Sequence, residues 1–241
     1  HVNAWGLPFT ATAVGAKQVF PGPYLDGESL LDLYSSEQVT TTAGVPTIWM
    51  GVLNALNKEP QRWNLVPGLR MVSGGSATPE SLIKAFDGHN CRVVCAWGMT
   101  ETSPLGSAAK LTREMEKLPE EEQLHYRAKA GQPMPLVEVR VRNENGIAPW
   151  DGKTVGELEI RGVWITGSYF GGDGSDKFTE DGWFQTGDVA SISPEGFIHI
   201  TDRTKDLIKS GGEWISSVEL ENAIMRSEER RVGKECRSRW S

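Results

Sequence analysis

Six consecutive residues, Trp97-Gly98-Met99-Thr100-Glu101-Thr102, set an aromatic plate, a phosphate-sized turn, a hydroxyl and a carboxylate side by side. That combination suits a nucleotide carrying a metal. Glu101 could give a hard oxygen to Mg2+, an ion held through one or two carboxylates plus substrate phosphates. Three other segments could join it. Ser73-Gly74-Gly75-Ser76-Ala77 is nearly bare backbone that a flat ring can approach closely. In Gly182-Trp183-Phe184-Gln185-Thr186-Gly187-Asp188, the terminal carboxylate could accept hydrogen bonds from two vicinal hydroxyls, as an acidic residue does towards ribose. From Asp202 to Ser216, alternating charges surround a Leu-Ile pair and lead into Gly211-Gly212, the pattern of a hinge followed by a hairpin turn. Each segment also has a plain alternative: the start of a helix, a βα turn, a turn aspartate, and a solvated surface strand.

Chemistry of this kind needs elements that hold the residues in place. Arg92-Val93-Val94-Cys95-Ala96 is a short apolar run of the type found in central parallel strands. Ligands in open α/β sheets sit at the carboxyl ends of such strands, where the Gly98 turn would put Thr100 and Glu101. A βα rhythm leads up to it: a strand over 16–20, a helix over 29–35, a strand over 39–43, and a helix opened by Pro46 with Trp49, Val52, Leu53 and Leu56 at helical spacing. A strand over 69–73 follows, then a helix with Thr78 as N-cap and Pro79 as first residue, carrying Leu82, Ile83 and Phe86. Residues 110–129 are charged and helix-prone, a solvated face with no assigned chemistry. From Leu136 the period changes to two, with Val137, Val139 and Val141 alternating with Glu138, Arg140 and Arg142. This β-rich section continues through 156–162 and through a hairpin of 189–192 and 197–200 around Pro194-Glu195-Gly196.

The 241 residues allow one large domain or two smaller ones. With 25 Lys and Arg against 32 Asp and Glu, the formal charge of -7 argues against a nucleic-acid binder. No apolar run reaches the roughly 18 residues that a membrane helix needs. Cys91, Cys95 and Cys236 form neither a disulfide framework nor a zinc spacing, so a reducing cytoplasm is the default. Cys91 and Cys95, four apart on one strand, are too distant to bridge and read as small core residues. The chain has no signal peptide and begins with His1, which suggests an internal fragment.

Taken together and in this order, WGMTET (97–102), GELEIRG (156–162), GWFQTGD (182–188) and DRTKDLIKSGGEW (202–214) resemble the core motifs of the adenylate-forming superfamily. That superfamily holds acyl-CoA synthetases, the adenylation domains of peptide synthetases and firefly luciferase, and the resemblance spans essentially residues 1–225. His1-Val2-Asn3-Ala4-Trp5-Gly6 and Gly44-Val45-Pro46-Thr47-Ile48-Trp49 resemble the bacterial medium- and long-chain fatty acid CoA ligases. The fold so implied is α/β: part of a large N-terminal domain, with a parallel βα sheet and a β-rich, barrel-like subdomain, and only the start of a small C-terminal domain. Residues 1–130 would be the βα subdomain with the acyl and adenine pocket, 131–202 the β-rich subdomain, and 203–225 the hinge and the beginning of the small domain.

The resemblance also implies roles. Thr100 would contact ATP phosphates and Glu101 would bind Mg2+. Trp97, with Gly75 and Ser76, would sandwich adenine beside the Gly98 turn, and Asp188 and Arg203 would hold the ribose. Lys205 falls at the hinge, Lys209 belongs with the catalytic set, and Gly211 would line the pantetheine channel. Trp5 would gate a fatty acid tunnel, and Gly44, Val45 and Trp49 would border the acyl pocket, although Trp5 and Trp49 equally read as core residues. The implied reaction joins a fatty acid to CoA through acyl-AMP, using ATP and Mg2+ and releasing pyrophosphate and AMP. The implied partners are thus small molecules, with no nucleic acid, and a homodimeric parent is left open. Two other readings stand beside it: a ligase for an aryl or sulfur-containing acid, and a non-catalytic nucleotide-binding module.

Two parts of the superfamily pattern lie outside the sequence, the glycine-rich phosphate loop with its lysine and the catalytic lysine of the small domain. Residues 226–241 depart from the pattern and resemble a translated sequencing adapter; a basic tail for an acidic partner is the alternative. The expectation is a fragment with negligible activity of its own and apolar surface left uncovered.

Overall fold

The computed structural model describes residues 2–203 and the backbone of Ile208–Ser210 and Glu213–Ile215. The first helices, α1 (Leu7–Ala13) and α2 (Gly27–Ser36), precede a five-stranded sheet of order β1-β2-β3-β4-β5. Its parallel part is β1 (Thr41–Gly44), β2 (Leu69–Ser73) and β3 (Cys91–Gly98). The crossovers are α3 (Pro46–Lys58) and α4 (Glu80–Gly88). Pro46 opens α3 because its fixed φ suits a first turn whose N–H groups lack helical partners anyway. Trp49, Val52 and Leu56 of α3 and Leu82, Ile83 and Phe86 of α4 are buried with Leu69, Met71, Cys91, Val93 and Cys95 in the first core. In β2 and β3 every second side chain is buried, while Arg70 and Arg92 point to solvent. The helices therefore cover one face of these strands rather than both.

Beyond β3 the direction reverses. β4 (Leu105–Ala108) and β5 (Gln132–Pro133) extend the sheet antiparallel, and α5 (Glu120–Arg127) packs near α4, with Arg127 making a two-pronged ion pair to Asp87 at 2.7 and 2.8 Å. The second sheet is antiparallel throughout, in the order β10-β9-β8-β6-β7. Its strands are β6 (Val137–Asn143), β7 (Gly146–Ile147), β8 (Gly156–Gly162), β9 (Phe184–Ile192) and β10 (Ile198–Arg203). The period-two reading holds. Val137, Val139, Val141, Leu158, Ile160, Phe184, Ala190, Ile192 and Ile198 form the second core, and the expected β9–β10 hairpin is present with longer strands than the apolar residues alone mark. The backbone of β11 (Ile208–Ser210) pairs antiparallel with β12 (Glu213–Ile215), the hairpin expected around the double glycine.

The polar face of the second sheet buries one charge completely. Glu159 is 0% exposed and accepts from Arg140 Nε and, at 2.9 Å, from Arg142 Nε. Arg140 also grips Asp181 with both terminal nitrogens and lies over the Trp183 ring, whose stacking partners include Arg161. A carboxylate with no water left must be compensated in this way, because leaving it unpaired costs several kcal/mol.

Three local expectations are corrected. Residues 16–20 form no strand, because a strand exists only through a ladder partner and none of the described residues pairs with this segment. The helix after β2 starts at Glu80 with Pro79 as its cap residue; Thr78 is buried and bonds Ser73 Oγ at 2.8 Å instead of capping. Within 110–129 only Glu120–Arg127 is α-helical, preceded by a short turn at Met115–Lys117 whose Met115 is buried against Phe197. No helix among the described residues is long and apolar enough to cross a membrane.

Two outcomes follow. Glu159→Ala leaves Arg140 and Arg142 facing an empty acceptor site, and should cost about 3 kcal/mol, read as lost hydrogen-exchange protection across β6 and β8. Burial pushes the Cys91 and Cys95 thiols up to about 11. Both therefore stay protonated at neutral pH, and native-state alkylation followed by mass spectrometry should leave them unmodified near pH 8, reacting only as the pH climbs towards that value or the fold is lost.

Candidate active site

The end of β3 is shaped by what cannot carry a side chain. A Cβ at Gly98 would stand 1.7 Å from the Pro104 carbonyl oxygen, and one at Gly106 would stand 2.5 Å from the Trp97 ring. Gly98 lets the chain double back tightly into β4, and Gly106 lets the indole lie flat on the backbone of that strand. Between them, Thr100–Thr102 forms a single 3-10 turn. Thr102 is buried; its hydroxyl accepts from the Met99 N–H at 2.9 Å and donates to the Pro104 carbonyl. Thr100 is left facing solvent and Glu101 half-exposed beside it.

Trp97 is held at its other edge as well. Its Nε1 donates to Asp188 Oδ2 at 2.9 Å, joining residues 91 apart in the sequence. Asp188 reaches this position through a disturbance in β9: the pairing with β8 shifts between Glu157 and Glu159, opposite Thr186-Gly187-Asp188, with Gly187 at φ 76°. Bulges of this kind commonly re-aim a side chain beside a functional site. Thr186 Oγ1 donates to the Leu158 carbonyl at 2.8 Å and accepts from the Asp188 N–H at 3.1 Å, fixing the bulge. On the neighbouring strand Arg203 is paired in register with Asp188, and its Nε stands 3.6 Å from Asp188 Oδ1. Burial pushes the Asp188 carboxyl above its ordinary value, while the Trp97 indole and the Arg203 guanidinium pull it back.

Glu101 is tied to the second sheet by a residue that sequence patterning does not single out. Tyr169 Oη donates to Glu101 Oε1 at 2.7 Å, and the Glu101 carbonyl accepts from the Thr166 N–H at 2.8 Å. Tyr169 itself packs against Phe178 and Phe184. Desolvation and the Glu101 charge push its phenol up to about 12, so it remains a donor at neutral pH. The only signal available was a hydroxyl-bearing aromatic in the Gly167-Ser168 loop that follows β8. Trp164 stitches the same seam, its Nε1 donating to the Leu105 carbonyl at 3.2 Å.

The remaining candidates fall into three groups. Gly75 and Ser76 are exposed in the loop after β2, where a left-handed φ of 84° suits Gly75. Trp5 adopts a left-handed φ of 55°, and its ring tip comes within 3.5 Å of where a Cβ on Gly74 would stand, which sets it beside the carboxyl end of β2. Gly44 covers Trp49, since a Cβ there would lie 2.9 Å from that ring, and Val45 bounds the open side of Gly75. Trp49 is 1% exposed within the first core, the plainer of its two sequence readings. Lys205 and Gly211 lie outside the described residues, as does the side chain of Lys209.

The arrangement can present a ring face, a carboxylate with acceptor capacity and a second, more open carboxylate on one rim. Among the described residues no group of three or more His, Cys, Asp or Glu side chains could hold a metal ion. Glu101, half-exposed and with one oxygen held by the Tyr169 hydroxyl, has the donor chemistry of a ligand to a hard cation.

The description of the AMP-binding enzymes matches residues 1–170. A long-chain fatty acid CoA ligase of Thermus thermophilus is 50% identical over 93% of this chain and 42% of its own length. A medium-chain fatty acid CoA ligase of Ectopseudomonas oleovorans is 47% identical over 92% of this chain and 40% of its own. Among solved structures, an O-succinylbenzoate CoA synthetase of Bacillus subtilis in complex with ATP and magnesium superimposes with a TM-score of 0.71 at 26% identity, covering 93% of this chain and 44% of that one. The chain thus spans about two fifths of the length of these proteins.

The packing at Gly106 gives a direct check. Gly106→Ala forces the Trp97 ring to move and should cost about 1–3 kcal/mol; combining it with Trp97→Leu should recover part of that loss. A denaturation-based double-mutant cycle measures the coupling.

Proposed function

We propose a function from one premise: the chain belongs to the family of AMP-binding enzymes. It is part of an ATP-dependent ligase that joins a fatty acid to CoA. In the first half-reaction a carboxylate oxygen of the acid attacks the α-phosphorus of ATP and pyrophosphate leaves, giving acyl-AMP. In the second the CoA thiolate attacks the acyl carbon, the bond from that carbon to the phosphate oxygen breaks, and AMP leaves. The observation that carries this reading is the convergence of Trp97, Glu101 and Asp188 at the carboxyl end of β3, where ligands of α/β sheets bind.

In this reading the Trp97 face and the bare Gly75-Ser76 loop take the adenine, and Asp188 with Arg203 takes the ribose hydroxyls. Thr100, exposed on its turn, donates to phosphate oxygens. Glu101 holds the magnesium that travels with them; when bound, that ion offsets negative charge at the reacting phosphorus. Such chemistry depends on positioning and charge compensation more than on a general base. Tyr169 has a defined part here, because its hydroxyl keeps the Glu101 carboxylate turned towards the rim before any ligand arrives. The acyl pocket is assigned to the region of Trp5, Gly44 and Val45, at the carboxyl ends of β1 and β2. Lys205, Lys209 and Gly211 keep the hinge, catalytic and pantetheine-channel roles that the family pattern implies. Fatty acid as the substrate class is supported by the two relatives just described, whose names differ in chain length.

The test uses the full-length protein that carries this chain. With octanoate or palmitate it should catalyse exchange of labelled pyrophosphate into ATP and release AMP on addition of CoA. Absence of both with every fatty acid tried, alongside turnover of an aryl or sulfur-containing acid, would replace the substrate assignment. Glu101→Gln should lower kcat for adenylation by about two to three orders of magnitude, and raise the magnesium concentration needed for half-maximal exchange.

A further inference from the structure

We propose that Trp97 is a positioning residue for Asp188, and that its indole N–H, rather than its ring face alone, sets how strictly the site requires the ribose hydroxyls. The inference rests on the reading of Asp188 as the ribose-binding carboxylate. A carboxylate offers about four lone-pair directions on two oxygens. At Asp188 one oxygen is committed: Oδ2 accepts the indole N–H at 2.9 Å. The other, Oδ1, faces Arg203 at 3.6 Å, beyond hydrogen-bond reach, and keeps its acceptor capacity. The indole is seated on Gly106 with no room for even one added carbon between them, and its N–H is aimed at Asp188 from there. Asp188 cannot retreat along its strand, because Thr186 pins the bulge from both sides.

The opposing partner makes the arrangement consequential. The Arg203 side chain is 74% exposed and free to reorient, whereas the Asp188 side chain is 12% exposed. Without the indole donor, the carboxylate turns towards the guanidinium, for which two-pronged pairing is the preferred geometry. Oδ1 is then spent on Arg203, and the acceptor that would read a hydroxyl is lost. A phenyl ring at position 97 keeps a face for the base and lacks this control, so stacking and hydroxyl recognition can be separated experimentally.

The experiment replaces Trp97 in the full-length protein by Phe and, separately, by β-(3-benzothienyl)alanine, which keeps the bicyclic outline and loses only the N–H. Calorimetry compares AMP with its 2′-deoxy and 3′-deoxy forms, without magnesium, and pyrophosphate exchange compares ATP with the same two deoxy forms. The preference for the ribonucleotide over at least one deoxy form should fall about tenfold in both variants, while affinity for that deoxy form changes much less. An unchanged preference, with all nucleotides weakened equally, overturns the proposal and leaves Trp97 as a stacking plate. Asp188→Asn separates the two levels. If the preference survives that substitution, the ribose role of Asp188 fails; if it is lost there but retained in the Trp97 variants, the positioning role alone fails. Trp97→Phe added to Asp188→Asn should have no further effect on the preference.

Discussion

A carboxylate withdrawn from water has to be given partners, and the second sheet of this protein is organised around two that are. Glu159 is closed off by Arg140 and Arg142 on the face opposite the apolar core. Asp188 is compensated from a different element, by an indole at the end of the first sheet and a guanidinium on the adjacent strand. The first arrangement fixes how β6 and β8 lie against each other. The second ties the two sheets together, so that an interaction required by burial also determines where the candidate site is. Removing one partner of a buried charge costs far more than the pair contributes net, so both arrangements resist change.

Close packing sharpens this seam. Where β3 doubles back into β4, the backbone approaches itself and the Trp97 ring so tightly that Gly98 and Gly106 have no room for a methyl group. The same turn carries Glu101, whose carbonyl and carboxylate are both bonded to the loop after β8. Two carboxylates of unlike environment thus stand on one rim: Asp188, nearly enclosed and aimed by its neighbours, and Glu101, more open and held by a single phenol. The first suits recognition of neutral hydroxyls and the second suits a hydrated cation, since an enclosed carboxylate would have to shed its compensating partners to take a metal.

Much of this was legible in the chain. Helical spacing in 46–56 and alternation in 137–141 and 156–162 depend on a residue's immediate neighbours, and the observed elements follow them. The errors occurred where a partner distant in sequence decides the outcome. Residues 16–20 read as the first strand of a βα rhythm but have no ladder partner among the described residues, and Thr78 spends its hydroxyl on Ser73 rather than on a helix end. Trp49 carries no label in the sequence that distinguishes a pocket wall from a core residue, and packing under Gly44 places it in the core.

The sequence by itself determined the α/β class, the order of the segments and the residue types offered to a nucleotide, because periodicity and motif chemistry are local properties. Only the tertiary structure decided that Trp97 presents its N–H to Asp188, that Tyr169 stands on Glu101, and that Gly106 exists to seat an indole. Those contacts join residues dozens of positions apart through a bulge and two reversals of direction. Their geometry is fixed by how two sheets meet, which local pattern does not encode.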